Sequence, residues 1–209
     1  MAEKIQKAKE TKEPVKSLKG MYHYLSEAWK HPSAEQLDDL RRKMIDWRAG
    51  PRIAKIEKPT RIDRARILGY KAKKGFVIFR VTLERGGRHK ARPRTKRRSK
   101  RFSVKKVLHM SYQWVAEQRV QKTYRNLEVL NSYKLGKDGR FYFFEVITVD
   151  RHAPEIKADP SLKWLASPKN NFRAMRGLTS SGKKSRGMST KSHTMKVRPS
   201  LRSWDRKGR

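Results

Sequence analysis

The chain has no cysteine. Disulfides, thiolate zinc sites, iron–sulfur ligation and cysteine nucleophiles are therefore excluded, and the lack fits a reducing compartment. Acids are scarce: 19 Asp and Glu face 55 Lys and Arg, a formal net charge of +36. No apolar run approaches the ~20 residues that a membrane-spanning helix needs. The opening segment, MAEKIQKAKETKEPVKSLKG, holds no apolar block, so a secretory signal is not expected there. Hydrophobic residues make up only 35%. That is below the usual globular share, and it predicts a modest core carrying long basic extensions.

Such an imbalance cannot favour folding, because like charges on a small surface repel and oppose compaction. It implies a polyanionic partner: RNA, DNA or an anionic membrane surface. On nucleic acid, basic side chains release condensed counterions. Roughly ten phosphate contacts would make affinity fall by about 10³–10⁵ between low and moderate salt.

The apolar pattern predicts a helix over Met21–Lys30, with Tyr22, Leu25 and Trp29 on one face. Ser33 reads as the N-cap of a second helix, with Gln36 closing a capping box. Leu37, Leu40, Met44 and Trp47 form its stripe, and Gly50-Pro51 stops it. A short strand is expected over Arg52–Glu57. Thr60 with Asp63 is expected to open a short helix that Gly69 closes. GFVIFRVTLERGG from Gly75 reads as a strand buried on both faces at its start, with Val77, Phe79, Val81 and Leu83 pointing one way. Helical period returns from Ser103, with Val104, Leu108, Tyr112 and Val115 on one face. Leu127–Leu135 and Phe141–Val149 read as strands around a Lys137-Asp138-Gly139 hairpin turn. A Pro-punctuated segment follows, anchored by Trp164 and Leu165.

The expected fold class is α+β: a small antiparallel sheet with packed helices in β-(α)-β-α-β-β order, plus long basic extensions. One face of the sheet is expected under helices. The domain reading is a disordered Lys/Glu-rich extension over 1–20, a globular domain over 21–168 with a basic arm at 85–101, and a solvated basic extension over 169–209.

The arm RGGRHKARPRTKRRSKR has no acid and no large apolar side chain, so it cannot bury itself. Its candidate phosphate ligands are Arg85, Arg88, Lys90, Arg92, Arg94, Lys96, Arg97, Arg98, Lys100 and Arg101. Arginine forks suit phosphate oxygens, and Gly86 and Gly87 let backbone approach closely. Nuclear targeting is the open alternative for such a run. Lys71, Lys73 and Lys74, with Arg61, Arg64 and Arg66 on the short helix, are expected to form a second patch contiguous with the arm. Gly177 to Lys183 resembles a phosphate-binding loop, but Lys184 stands where a hydroxyl should hold Mg²⁺. The expectation there is a flexible arm lining a phosphate backbone. Lys74–Phe79 faintly resembles an RNA-reading strand motif, and core is the better reading. His23, His31, His89, His109, His152 and His193 lack metal-ligand spacing, and no nucleophile–base pair emerges. Neither metal nor cofactor is expected. Tyr22, Tyr24 and Trp204 are candidates to stack on bases, with core or protein-contact roles equally open for the first two.

The run PTRIDRARILGYKAKKGFVIFR at 59–80 resembles the signature of protein fifteen of the archaeal and eukaryotic large ribosomal subunit. RGGR at 85–88, VLNSY at 129–133, FFEVI at 143–147, RGLTSSGKKSRG at 176–187 and MYHYLSEAW at 21–29 resemble the same family in the same order. The resemblance implies an α+β core set in large-subunit ribosomal RNA (rRNA), with arms threading between RNA helices and no catalysis. It implies a cytoplasmic ribosome, archaeal in flavour. It carries RNA-facing roles to Arg61, Arg64, Arg66, Lys71, Lys73, Arg85, Arg88, Arg176, Lys183, Lys184 and Arg186; Arg173 joins them as a candidate. Expected partners are large-subunit rRNA and neighbouring large-subunit proteins, with no membrane, no small-molecule substrate and no homo-oligomer. The extensions are expected to order only on RNA. The rival readings are an architectural DNA-binding protein and, behind it, an RNA-modifying enzyme.

Overall fold

The computed structural model describes residues 19–87, 95–96 and 110–188. Four strands form one antiparallel sheet among them: β1 Ile53–Ile56, β2 Phe76–Glu84, β3 Leu127–Lys137 and β4 Phe141–Asp150, in spatial order β1-β2-β4-β3. The helices are α1 Met21–Lys30, α2 Ala34–Ala49, α3 Ile62–Ile67, α4 Tyr112–Thr123 and, after the sheet, the short α5 Pro154–Lys157, α6 Lys163–Ala166 and α7 Ser180–Ser185. This is the expected α+β class and element order.

Local chemistry sets several boundaries. The Ser33 hydroxyl accepts from the Gln36 amide at 3.3 Å, and the Gln36 side chain accepts from the Ser33 amide at 3.1 Å. That reciprocal pair starts α2 as the sequence predicts. The β3–β4 turn is locked by Asp138, whose carboxylate accepts from the Arg140 amide at 2.7 Å and also from the Phe141 amide. Two expected starts are corrected. Thr60 does not cap α3: its hydroxyl instead donates to Glu145 at 2.5 Å, a partner 85 residues away. The fourth helix does not run through from Ser103. It begins at Tyr112, capped by the Ser111 hydroxyl on the Trp114 amide; Val104 and Leu108 lie outside the described residues.

The sheet is buried on both faces, not one. Alternation along β2 sends Phe79, Val81 and Leu83 to a face covered by Ala116 and Val120 of α4. Ile78 and Phe76 go to the other face, under Trp47 and Met44 of α2 and Ala65 of α3. Two bulges in β3, at Leu130 and Leu135, let that strand serve both layers. A third cluster joins Val149 to Ile156, Leu162 and Leu165 at the end of the sheet. Trp164, the other expected anchor, is instead 42% exposed.

The solvated extension assigned from 169 onward is also corrected. Residues 171–188 fold back onto the core, with Ala174 and Thr179 completely buried. They are held by polar atoms rather than apolar bulk. The Thr179 hydroxyl donates to Glu117 of α4 at 2.5 Å, Ser132 of β3 donates to the same carboxylate at 2.5 Å, and the Phe172 amide donates to Glu128 at 2.9 Å. The N-terminal extension lies outside the described residues apart from Lys19 and Gly20.

Burial pushes the Glu117 carboxyl above its ordinary range, partly offset by its hydroxyl donors Ser132, Ser181 and Thr179 and by the nearby Arg173 charge. A carboxyl raised on folding holds its proton more tightly in the native state. Its contribution to stability is complete below the ordinary carboxylate value and declines as pH rises above it. Glutamine cannot ionise. Thermal melts across pH should therefore show Glu117→Gln gaining on the wild type as pH climbs from about 4 to neutrality; a constant gap would refute the assignment.

Candidate nucleic-acid interface

The cations named from the sequence divide by what they touch. On and beside α3, Arg61 is half-buried. It pairs with Asp63 at 3.1 Å, and its guanidinium carbon lies 4.8 Å from the centre of the Trp29 ring, so it ties α1 to α3. Arg64 and Arg66 are exposed; Arg66 lies over Tyr22 at 6.0 Å, while Arg64 makes no ion pair among the described residues. Lys71 and Lys73 converge on one carboxylate, Asp159, at 2.6 and 2.7 Å. The two ammonium groups, Lys71 first, hold that carboxyl well below the usual range. Lys74 is exposed and outside this clamp.

The lysine patch lies apart from the root of the arm. It sits where β2 begins, whereas the arm leaves where β2 ends, nine residues on. At strand rise that is about 25–30 Å. The arm's root is built from backbone. The Arg85 guanidinium donates to the Asp138 and Gly139 carbonyls and lies over the Tyr142 ring at 5.1 Å. The Tyr112 hydroxyl accepts from the Gly86 amide at 2.9 Å and donates to the Gly86 carbonyl at 2.8 Å. Gly86 has φ of 106°, a conformation that glycine adopts without penalty. Gly87 and Lys96 are exposed. Arg88, Lys90, Arg92, Arg94, Arg97, Arg98, Lys100 and Arg101 lie outside the described residues.

Where the chain returns, the Ser111 amide donates to the Ser185 hydroxyl of α7 at 2.9 Å. Gly86 is thus fastened to Tyr112, and Ser111 to α7. The two ends of the 87–110 segment are both held at the start of α4, and the returning end also at α7, the helix that carries Lys183 and Lys184. Both lysines are exposed, and neither forms an ion pair among the described residues.

Three other cations named from the sequence donate to backbone carbonyls. Arg173 is buried; it donates to the Val129 and Leu130 carbonyls at 2.7 and 2.8 Å, and desolvation lowers its basicity. Arg176 donates to the Asn171 carbonyl at 3.0 Å and to that of Lys169. Arg186 reaches the Arg176 and Gly177 carbonyls at 3.3 and 3.4 Å. The sequence reading also missed Lys134. It stands over the face of Tyr142 at 5.0 Å, on the same ring as Arg85. Its signal was a lone cation after Tyr133 in an otherwise buried strand.

The segment from Gly177 to Lys184 is packed against the core and is not the solvated arm expected from the sequence. Thr179 caps α7, accepting from the Gly182 amide at 3.2 Å. The strand-like Lys74–Phe79 run is core, with Ile78 and Phe79 buried to 2% and 1% exposure. Among the described residues, no group of three His, Asp or Glu is placed to hold a metal ion.

Fold and surface together define a class: small basic α+β proteins built on an antiparallel sheet, with a few buried acids and a surface rich in cations. The sequence model of the family described as Ribosomal L15 matches residues 20–204. The chain belongs to this family, the eukaryotic- and archaeal-type protein fifteen of the large ribosomal subunit. It is accordingly a structural constituent of that subunit and not an enzyme, and its place is the cytoplasmic ribosome in translation.

The seat of α7 has one narrow point. A Cβ on Gly182 would stand 2.7 Å from the Gly177 Cα, against backbone that cannot swing away. Gly182→Ala should lower unfolding stability by about 1–3 kcal/mol, the usual cost of overpacking. Urea titration of the purified chain measures it; an unchanged midpoint would show that α7 is not wedged there.

Proposed function

We propose that the chain binds large-subunit rRNA chiefly through phosphate contacts, at a surface centred on the root of the 85–101 arm and on α7. One observation carries the reading. Tyr112 of α4 holds Gly86 at one end of the arm, and Ser111, just before it, ties the other end to Ser185 of α7, the helix that presents Lys183 and Lys184. A segment of dense positive charge thereby issues from a rigid base that is itself cationic. Rigid placement matters because phosphate contacts fix register and orientation, while RNA is recognised largely by shape.

Within this reading Lys183, Lys184, Lys134 and Lys96 face phosphate near the arm, together with the cations of 88–101. Arg64, Arg66 and Lys74 form a separate contact at the far end of the sheet. Arg61, Arg85, Arg173, Arg176 and Arg186 hold the scaffold, and Lys71 and Lys73 hold the loop between α3 and β2. The protein acts as a single copy, with neighbouring large-subunit proteins beside it.

The division predicts two kinds of variant. Each phosphate contact contributes about 0.7–0.9 to the slope of log affinity against log salt. Lys183→Ala with Lys184→Ala should flatten that slope by about 1.4–1.8 for a large-subunit rRNA fragment, with little change in melting temperature. Arg173→Ala should do the reverse, lowering stability and leaving the slope unchanged. Filter binding over a salt series tests both; an unaltered slope in the lysine variant would overturn the assignment.

A further inference from the structure

Downstream of the sheet, two aromatic side chains stand out of the core. Trp164 and Phe172 are each 42% exposed. The chain had enough apolar surface in this segment to bury Leu162, Leu165 and Ala174, so the exposure of its two largest rings is not forced by a shortage of core positions.

Trp164 is held through its ring, and Phe172 through its backbone. The Arg173 guanidinium carbon sits 4.8 Å from the centre of the Trp164 ring. The same guanidinium is fixed by the Val129 and Leu130 carbonyls, at 2.7 and 2.8 Å. The indole N–H donates to the Ser161 carbonyl at 2.9 Å, and the Asn170 amide donates to the Trp164 carbonyl at 2.5 Å. The ring is therefore pinned at its edge and supported by a cation on one face. Phe172 has φ of 50°, a left-handed conformation that is uncommon for a bulky residue. Its amide donates to the buried Glu128 carboxylate at 2.9 Å, and its carbonyl accepts from the Met175 and Arg176 amides at 3.0 and 3.1 Å. The backbone on both sides of Phe172 is thus committed, and the strained residue turns an aromatic side chain outward. Strain that the surroundings enforce is a recognised mark of a working position.

The exposed charge near these rings is cationic. Between Asp159 and Asp205 the sequence contains no acid, and Lys163, Lys169 and Arg176 stand exposed beside them. A preorganised aromatic face within a cationic rim has the chemistry of a single-stranded nucleic-acid site. The ring takes the base and the rim takes the phosphates.

We infer that Trp164 and Phe172 form a stacking platform for unpaired bases of large-subunit rRNA. This rests on the rRNA reading above and adds to it a contact that phosphate binding does not supply. Arg173, buried and unable to meet phosphate, acts as a positioning residue for the indole. The platform recognises bases that leave a helix, whereas α7 and the arm recognise backbone.

Two measurements on the full chain bound to large-subunit rRNA test this. Ultraviolet cross-linking with mass spectrometry should find nucleotides attached to the peptide holding Trp164 or Phe172. In filter binding, Trp164→Ala and Phe172→Ala should each weaken binding about fivefold to a hundredfold without changing the salt slope, and Trp164→Phe should recover most of the loss. Cross-links confined to the Lys183–Lys184 region, or wild-type affinity in both alanine variants, would overturn the platform and leave the rRNA reading standing. Wild-type affinity for rRNA combined with loss of a neighbouring subunit protein would overturn it too, marking the surface as a protein contact. Failure of the wild type to bind rRNA at all would end both readings.

Discussion

The structure depends on a few buried carboxylates that fasten segments lacking an apolar face of their own. Glu145 accepts the Thr60 hydroxyl at 2.5 Å, the Thr60 amide and the Tyr133 hydroxyl, and so secures the entry to α3. Glu117 secures the cap of α7, and Glu128 the turn at Phe172. Burial raises the Glu117 and Glu145 carboxyls, which shows that desolvation outweighs their hydrogen bonds. A buried charge left without its donors is strongly unfavourable. Each such acid therefore makes departure of the segment it holds costly.

The choice of donors matters as much as the choice of acceptor. Glu117 and Glu145 are met mainly by hydroxyls and backbone amides, which carry no charge. Their anchoring consumes no lysine or arginine at the surface. Asp159 works the other way, taking both Lys71 and Lys73. In a chain with 19 acids and 55 strong cations, positive charge far exceeds what the acids can pair. The fold is held together largely by neutral donors, and most of the excess charge stays outside, where a polyanion can meet it.

What the sequence revealed follows the range of the interactions involved. The α2 capping box and the alternation of β2 are local patterns, and both appear as read. The β3–β4 turn is likewise set within a few residues by Asp138. Thr60 misled because its hydroxyl could serve either a local cap or a distant acceptor, and Glu145 offered the stronger partner. The 171–188 segment misled for a related reason. Its composition looks solvated, yet its packing relies on glycine contact and hydroxyl–carboxylate bonds that no hydrophobic pattern records. The apolar stripe of α2 was legible, but a stripe does not say which sheet face it covers; here Leu40, Met44 and Trp47, with Ile62 and Ala65 of α3, pack on the face that carries Phe143 and Ile147.

The candidate interface was legible only as charge density. Which cations are engaged depends on partners far along the chain: Asp159 lies 88 residues from Lys71, and Val129 lies 44 residues from Arg173. No run of letters encodes that. Trp164 escaped for the opposite reason, since it reads as a buried anchor, and Phe172 carries no sequence signal of its own. Trp164 shows why exposure decides the matter. An indole supported on one face by a fixed guanidinium loses little freedom when a base covers the other, so ordering costs that would weaken a mobile ring have already been met by the fold. Phosphate contacts alone would hold any polyanion, and the strength of that grip would vary with salt. Rigid rings that meet unpaired bases add a term that salt does not screen and that duplex nucleic acid cannot satisfy, so discrimination among polyanions arises in the segment whose composition looked least structured.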